Sequence, residues 1–165
     1  MAAKTASFFI RKTIDCSSIS GNVESLDTSA YVDPSDRQGL EIEMVDFVFY
    51  NGANYLPFED TSNQIGVQVL AGTYGELQDL GEEDLIASAG ISWDSTSNPS
   101  NATDMFPDAL GISKKGRIVV DDTITIATDT QDAATNAKCC VILKCRVVRL
   151  TNKDFMALAL QTVAN

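Results

Sequence analysis

Leu40-Glu41-Ile42-Glu43-Met44-Val45-Asp46-Phe47-Val48-Phe49-Tyr50 is the stretch whose periodicity decides the fold. Leu40, Ile42 and Met44 alternate with Glu41 and Glu43, a period of two that puts one face of a strand in a core and the other in water. Beyond Met44 the phase slips: Val45, Phe47 and Phe49 now alternate with Asp46, Val48 and Tyr50. A one-residue slip exchanges the faces of a strand. A bulge or corner near Val45-Asp46 absorbs it, as where a strand bends between two packed sheets. Asn51-Gly52 then supplies a hairpin-type turn.

The flanking segments carry the same β signal. Upstream, Phe8–Ile14 reads as a first strand with Phe8, Ile10 and Ile14 on one face and Lys12 interrupting it. The Ser/Asn/Gly-rich Ser17–Ser29 reads as a loop holding a short strand, and Ala30-Tyr31-Val32 as a brief strand ended by the turn pair Asp33-Pro34. Downstream, Ile65–Ala71 and Ala89–Trp93 are strands, with an acidic loop or turn of helix between Glu76 and Ala87. Asp94–Leu110 is a long polar loop, of the kind that makes contacts. Ile118, Val120, Ile124 and Ile126 share one face of a continuous β region from Arg117 to Thr128. Lys138–Leu150 is a strand of about 43 Å at ~3.3 Å per residue, with Cys139, Val141, Leu143, Cys145 and Val147 on a wholly apolar face.

The chain ends in a helix over 152–163. Thr151-x-x-Asp154 is a capping-box-like start, and Phe155, Leu158, Ala159 and Val163 fall at helical spacing, with Met156 and Leu160 widening the stripe. No internal repeat appears, which argues against a solenoid or propeller. About seven or eight strands with loops of unequal length predict an all-β fold: a single jelly-roll or Greek-key β-sandwich with a short C-terminal helix. Residues 1–165 then form one domain, with 1–7 as an N-terminal arm.

Composition narrows the function. The chain has 165 residues, 44% of them apolar, and a net charge of −11; that suits a self-sufficient globular core. The charge is uneven: +3 over residues 1–14, −17 over 15–113 and +3 over 114–165. Broad nucleic-acid binding needs a basic face, so any such contact is weak and confined to the N-terminal arm or to Lys114-Lys115-x-Arg117. The two basic ends suit pairing with acids within or between like subunits. Phe8-Phe9-Ile10 is too short for the core of a signal peptide, which predicts folding in a cytoplasm.

The residues of common catalytic sites are missing. There is no histidine, the commonest base for an activated nucleophile, and neither a G-x-S-x-G elbow nor S-x-x-K occurs. Gly72-Thr73-Tyr74-Gly75 lacks the spacing of a phosphate-binding loop. Cys16, Cys139, Cys140 and Cys145 do not have zinc-site spacing and read as buried free thiols rather than disulfides. Glu82-Glu83-Asp84 and Asp121-Asp122 offer oxygen ligands for calcium, but neither matches an EF-hand loop. The sequon Asn101-Ala102-Thr103 and the lone Trp93 are weak markers of glycosylation and of a sugar site. The expectation is a non-enzyme with no catalytic, metal or cofactor residues and no small-molecule substrate.

In its short polar arm, bent Leu40–Tyr50 strand, Asp94–Leu110 loop and paired strands Arg117–Thr128 and Lys138–Leu150, the chain resembles small single jelly-roll capsid proteins of tailless icosahedral double-stranded DNA viruses. The resemblance implies a coat subunit of a virion, assembled in the host cytoplasm from copies of itself and other coat proteins. Such shells often carry a strongly basic arm. This arm has three bases, which implies a shell facing a membrane or another protein layer rather than naked DNA. Two alternatives stay open: a jelly-roll carbohydrate- or calcium-binding module, and a phage tail-tube or decoration protein.

Overall fold

Ala137, Cys139, Val141, Leu143, Cys145 and Val147 alternate along one long strand, and all six side chains are buried. That face anchors the core. A computed structural model describes residues 2–53, 63–94, 100–105, 116–132 and 136–163. Among them the strands are β1 (Ala2–Ala3), β2 (Phe8–Asp15), β3 (Asn22–Asp27), β4 (Gln38–Asn51), β5 (Asn63–Ala71), β6 (Leu85–Trp93), β7 (Ser100–Met105), β8 (Arg117–Val119), β9 (Thr123–Thr130) and β10 (Ala137–Arg149). A helix, α1 (Asn152–Val163), follows.

Two antiparallel sheets face each other. In the first, β1 and β2 lie in line along one side of β10, and β4 and then β8 follow on its other side. The second runs β3-β9-β5-β6-β7. Four pairs are nested in sequence: β2 with β10, β3 with β9, β4 with β8, and β5 with β6. A chain folded back on itself as one long hairpin gives this nesting. Wrapping that hairpin so that β10 meets β4 and β9 meets β5 closes it into a jelly roll. β1 and β7 are additions at the edges. The core between the sheets is built from Leu40, Ile42, Val67, Val69, Ile124, Ile126 and the inward face of β10.

The phase slip in β4 is a bulge, placed earlier than the sequence suggests. Ile42 pairs with Cys145 and Met44 with Lys144, leaving Glu43 unmatched. Leu40, Ile42, Val45, Phe47 and Phe49 therefore all face the core, and Met44, expected inside, points outward. Two adjacent apolar residues, Met44 and Val45, hide from the pattern which residue is the extra one. Asn51-Gly52 does not close a hairpin, because β4 and β5 belong to different sheets; the Gly52 amide instead donates to the Asn136 carbonyl at 2.7 Å.

Other expectations shift in the same way. Ala30–Val32 is a turn held by Tyr31 N–H to the Thr28 carbonyl at 2.8 Å. β7 lies inside the segment expected as the loop Asp94–Leu110; residues 95–99 and 106–110 of that segment lie outside the described residues. The region Arg117–Thr128 divides at Asp121-Asp122, where the chain crosses from the first sheet to the second. Val119 points into the core there, whereas Ile118 and Val120 turn out toward α1.

The helix covers one end of the first sheet's outer face. Phe155, Leu158 and Ala159 pack on Val148, Leu150, Ile118 and Val120, while Met156 and Leu160 stay exposed. Its start is the expected cap: Thr151 Oγ1 accepts from the Asp154 amide at 3.2 Å and donates to the Asp154 carboxylate at 2.8 Å. Residues 2–5, read from the sequence as an arm, lie along β10. Lys4 N–H donates to the Val147 carbonyl at 2.8 Å, and the Val147 amide donates to Thr5 Oγ1 at 3.0 Å. Replacing Thr151 by Ala is expected to lower stability by about 1 kcal/mol, read as a lower urea midpoint with an unchanged slope.

Candidate functional site

The fold brings some of the residues singled out for chemistry near one another: Cys16 lies beside Cys139, and Asp84 and Asp121 line one small cleft. Cys16, Cys139 and Cys145 are buried and unpaired, and Cys140 is half-buried on the outer face. Burial pushes the Cys16 thiol up to about 11 and the Cys145 thiol up to about 12, and it raises Cys139 as well. A protonated thiol is a poor nucleophile. Of the acids, Asp84 is buried and accepts from the Tyr74 hydroxyl at 2.7 Å. Burial, followed by that bond, raises the Tyr74 phenol. The backbone carbonyls of Asp121 and Asp122 accept from the Thr28 hydroxyl and amide. Among the described residues, no three Cys, Asp or Glu side chains converge as metal ligands.

Trp93 is a core residue, 8% exposed. The sequon lies on β7, with Asn101 opposite Ser92 of β6. Lys114 and Lys115 fall outside the described residues. Arg117 donates to the Glu83 carbonyl.

Two outer faces remain. On the second sheet a shallow depression of about 460 Å³ is floored by the cross-strand pair Gly66 and Gly90 and bordered by Gln64, Leu77, Asp129 and Gln131. Among the described residues, Asp129 is the one carboxylate that borders it.

The outer face of the first sheet is built differently. Register fixes rows across β2, β10 and β4: Phe9–Lys144–Met44, Arg11–Ile142–Asp46, Thr13–Cys140–Val48 and Asp15–Lys138–Tyr50. Phe9, Met44 and Val48 are 51%, 40% and 42% exposed, with Arg11 stacked over the Phe9 ring at 5.5 Å. Toward α1 the rows end in an ion cluster. Arg146 Nε donates to buried Glu41 at 2.8 Å and lies 3.4 Å from Glu43, which also meets Lys144 at 3.4 Å and accepts from Ser7 at 2.7 Å.

These apolar positions were legible only as anomalies. Phe9 and Val48 occupy the polar phase of their strands, and that is the signal a sequence reading passes over. Compared with protein-family models, curated proteins and solved structures, the chain gives no match.

The carboxylates make stability acid-sensitive. The Ser7 hydrogen bond, aided by Lys144 and Arg146, holds Glu43 below its usual 4.5. Hydroxyls of Ser17, Ser29 and Ser35 do the same for Asp15, Asp27 and Asp33, and Lys4 does so for Asp36. Groups lowered in the folded state stabilise it fully above their unfolded values, and that contribution fades as pH falls through the folded ones. With no histidine, no side chain of ordinary pKa titrates between about pH 5 and 8. The melting temperature is therefore expected to be level from pH 6 to 8 and to drop below about pH 4, less steeply in Ser7→Ala. The thiols give a second check: under native conditions at pH 8, iodoacetamide should modify Cys140 well before Cys16, Cys139 or Cys145, as read by mass spectrometry.

Proposed function

We propose that this chain is a self-assembling structural subunit, a viral coat protein whose copies build an icosahedral shell. Jelly rolls serve capsids, lectins and cupins alike, so the fold alone does not choose among them. The observation that carries the reading is the outer face of the first sheet, where Phe9, Met44 and Val48 lie exposed on two strands flanking β10. Apolar side chains exposed on one face of a sheet suit contact with another protein surface. The charge layout supports the same partners. Lys4 and Lys12 of the N-terminal segment are taken up by Asp36 and Glu24, so Arg11 is the base of that segment left to meet a phosphate. Contact with a genome is then at most weak, and the shell faces other coat proteins or a membrane layer. The place of action is the virion, assembled in the host cytoplasm.

The depression over Gly66 and Gly90 favours a second reading, a module that holds a neutral polyhydroxyl ligand through Gln64, Asp129 and Gln131. Its openness makes that the weaker of the two.

Sedimentation velocity and negative-stain electron microscopy separate the readings. Closed particles or rings of many subunits are expected. A strict monomer at high concentration across salt conditions, with a carbohydrate signal on a glycan array, supports the ligand-binding module instead. Stacked tubes point to a tail-tube protein.

A further inference from the structure

We infer that two copies of this chain dock face to face through the outer surface of the first sheet, about a two-fold axis lying in the interface and parallel to β10; this rests on the assembly reading above. The argument begins with Arg11 and Asp46. They flank Ile142 in one row, on the strands either side of β10, about 10 Å apart at ~4.8 Å per strand spacing. Both are exposed. Each ion pair among the described residues uses other groups. A base and an acid at opposite ends of an apolar row form a pattern that can complement itself.

A face-to-face dimer is isologous, so its two-fold axis must lie within the interface. Two orientations follow the strands. With the axis across the strands, each strand lies over its own copy, so Arg11 can never reach Asp46, and with the axis through their row Arg11 meets Arg11 and Asp46 meets Asp46. With the axis along β10, left and right exchange within every row. Arg11 of each copy then sits over Asp46 of the other, Phe9 over Met44, and Thr13 over Val48. Ile142 meets Ile142 on the axis, in the near-aligned packing that twisted sheets adopt.

Two like-charge encounters remain on the axis, at Lys144 and Lys138. Lys144 is already paired with Glu43 at 3.4 Å, and Lys138 stands directly opposite Asp15 in the ladder. α1 does not obstruct the contact, because it covers the far end of the sheet over Val148 and Leu150. The four rows span about 20 Å by three strands, a footprint of about 300 Å². That is under half of the ~800 Å² each partner buries in a stable two-body interface. The contact is therefore weak alone and gains strength when repeated in an assembly.

Charge exchange tests the geometry. Arg11→Asp and Asp46→Arg, each checked for folding by thermal melting, are expected to weaken association at least tenfold by sedimentation, and the double variant R11D/D46R to recover most of it. Cys140 gives an independent readout, since it lies on β10 and faces its own copy across the axis. A short bis-maleimide should link two copies of the parent protein through Cys140, should fail with Cys140→Ser, and should link R11D poorly. If the parent associates but neither single variant weakens it, the contact lies elsewhere: this inference falls and the assembly reading stands. Weakened single variants without recovery in the double overturn the two-fold arrangement. A parent that stays monomeric overturns both readings.

Discussion

One unmatched residue, Glu43, sets the character of both faces of the first sheet. A strand in strict alternation that buried Leu40 and Ile42 would bury Met44 next, and with it Asp46 and Val48. The bulge at Glu43 turns Val45, Phe47 and Phe49 inward instead. The core gains two aromatic rings, and the surface receives Met44, Asp46 and Val48. The bulged residue is itself tied down. Its carboxylate takes a hydrogen bond from Ser7 and ion pairs from Lys144 and Arg146, so the irregularity in the ladder is held by side chains from the N-terminal segment and β10.

β10 supplies the other half of the constraint. It pairs with β1 and β2 on one side and β4 on the other, and its inward face is buried without a break from Ala137 to Val147. Burial at ~25 cal/mol per Å² of apolar surface favours such a face strongly. The two thiols on it, Cys139 and Cys145, act there as small apolar groups. Their raised pKa values follow from the same burial, so the packing that stabilises the sandwich also removes these cysteines from chemistry. Cys140 escapes because a strand alternates, and it emerges on the outer face beside Val48 and Thr13.

The sequence made the fold class legible because period-two alternation survives in Leu40–Ile42, Ile65–Ala71 and Lys138–Leu150, and because Thr151 and Asp154 mark the helix start. Local pattern was less reliable where the chain changes layers. Ile118 and Val120 share a phase with Ile124 and Ile126, yet the crossing at Asp121-Asp122 sends the first pair toward α1 and the second into the core. Asn51-Gly52 reads as a hairpin, but tertiary pairing takes β4 and β5 to different sheets. The rows of the outer face were not legible at all. That Arg11, Ile142 and Asp46 stand side by side depends on the register of three strands distant in sequence, which no local period encodes.

The uneven charge of the chain acquires a structural meaning from this register. Bases from both ends meet acids from the middle within one subunit: Lys4 and Arg149 on Asp36, Lys12 on Glu24, and Arg146 on Glu41. Nesting brings the two ends together at β10, with the acidic β4 alongside, so segregation in sequence becomes pairing in space. Lys12 shows a further use. It occupies an inward-phase position on the edge strand β2 and bridges to Glu24 of the second sheet at 3.0 Å. A charge in the inward phase of an edge strand discourages indiscriminate edge-to-edge pairing. With the β2 edge guarded and one end of the sheet under α1, a face is left as a natural surface of contact. On that face Arg11 and Asp46, in no ion pair among the described residues, frame the apolar groups from the two strands beside β10.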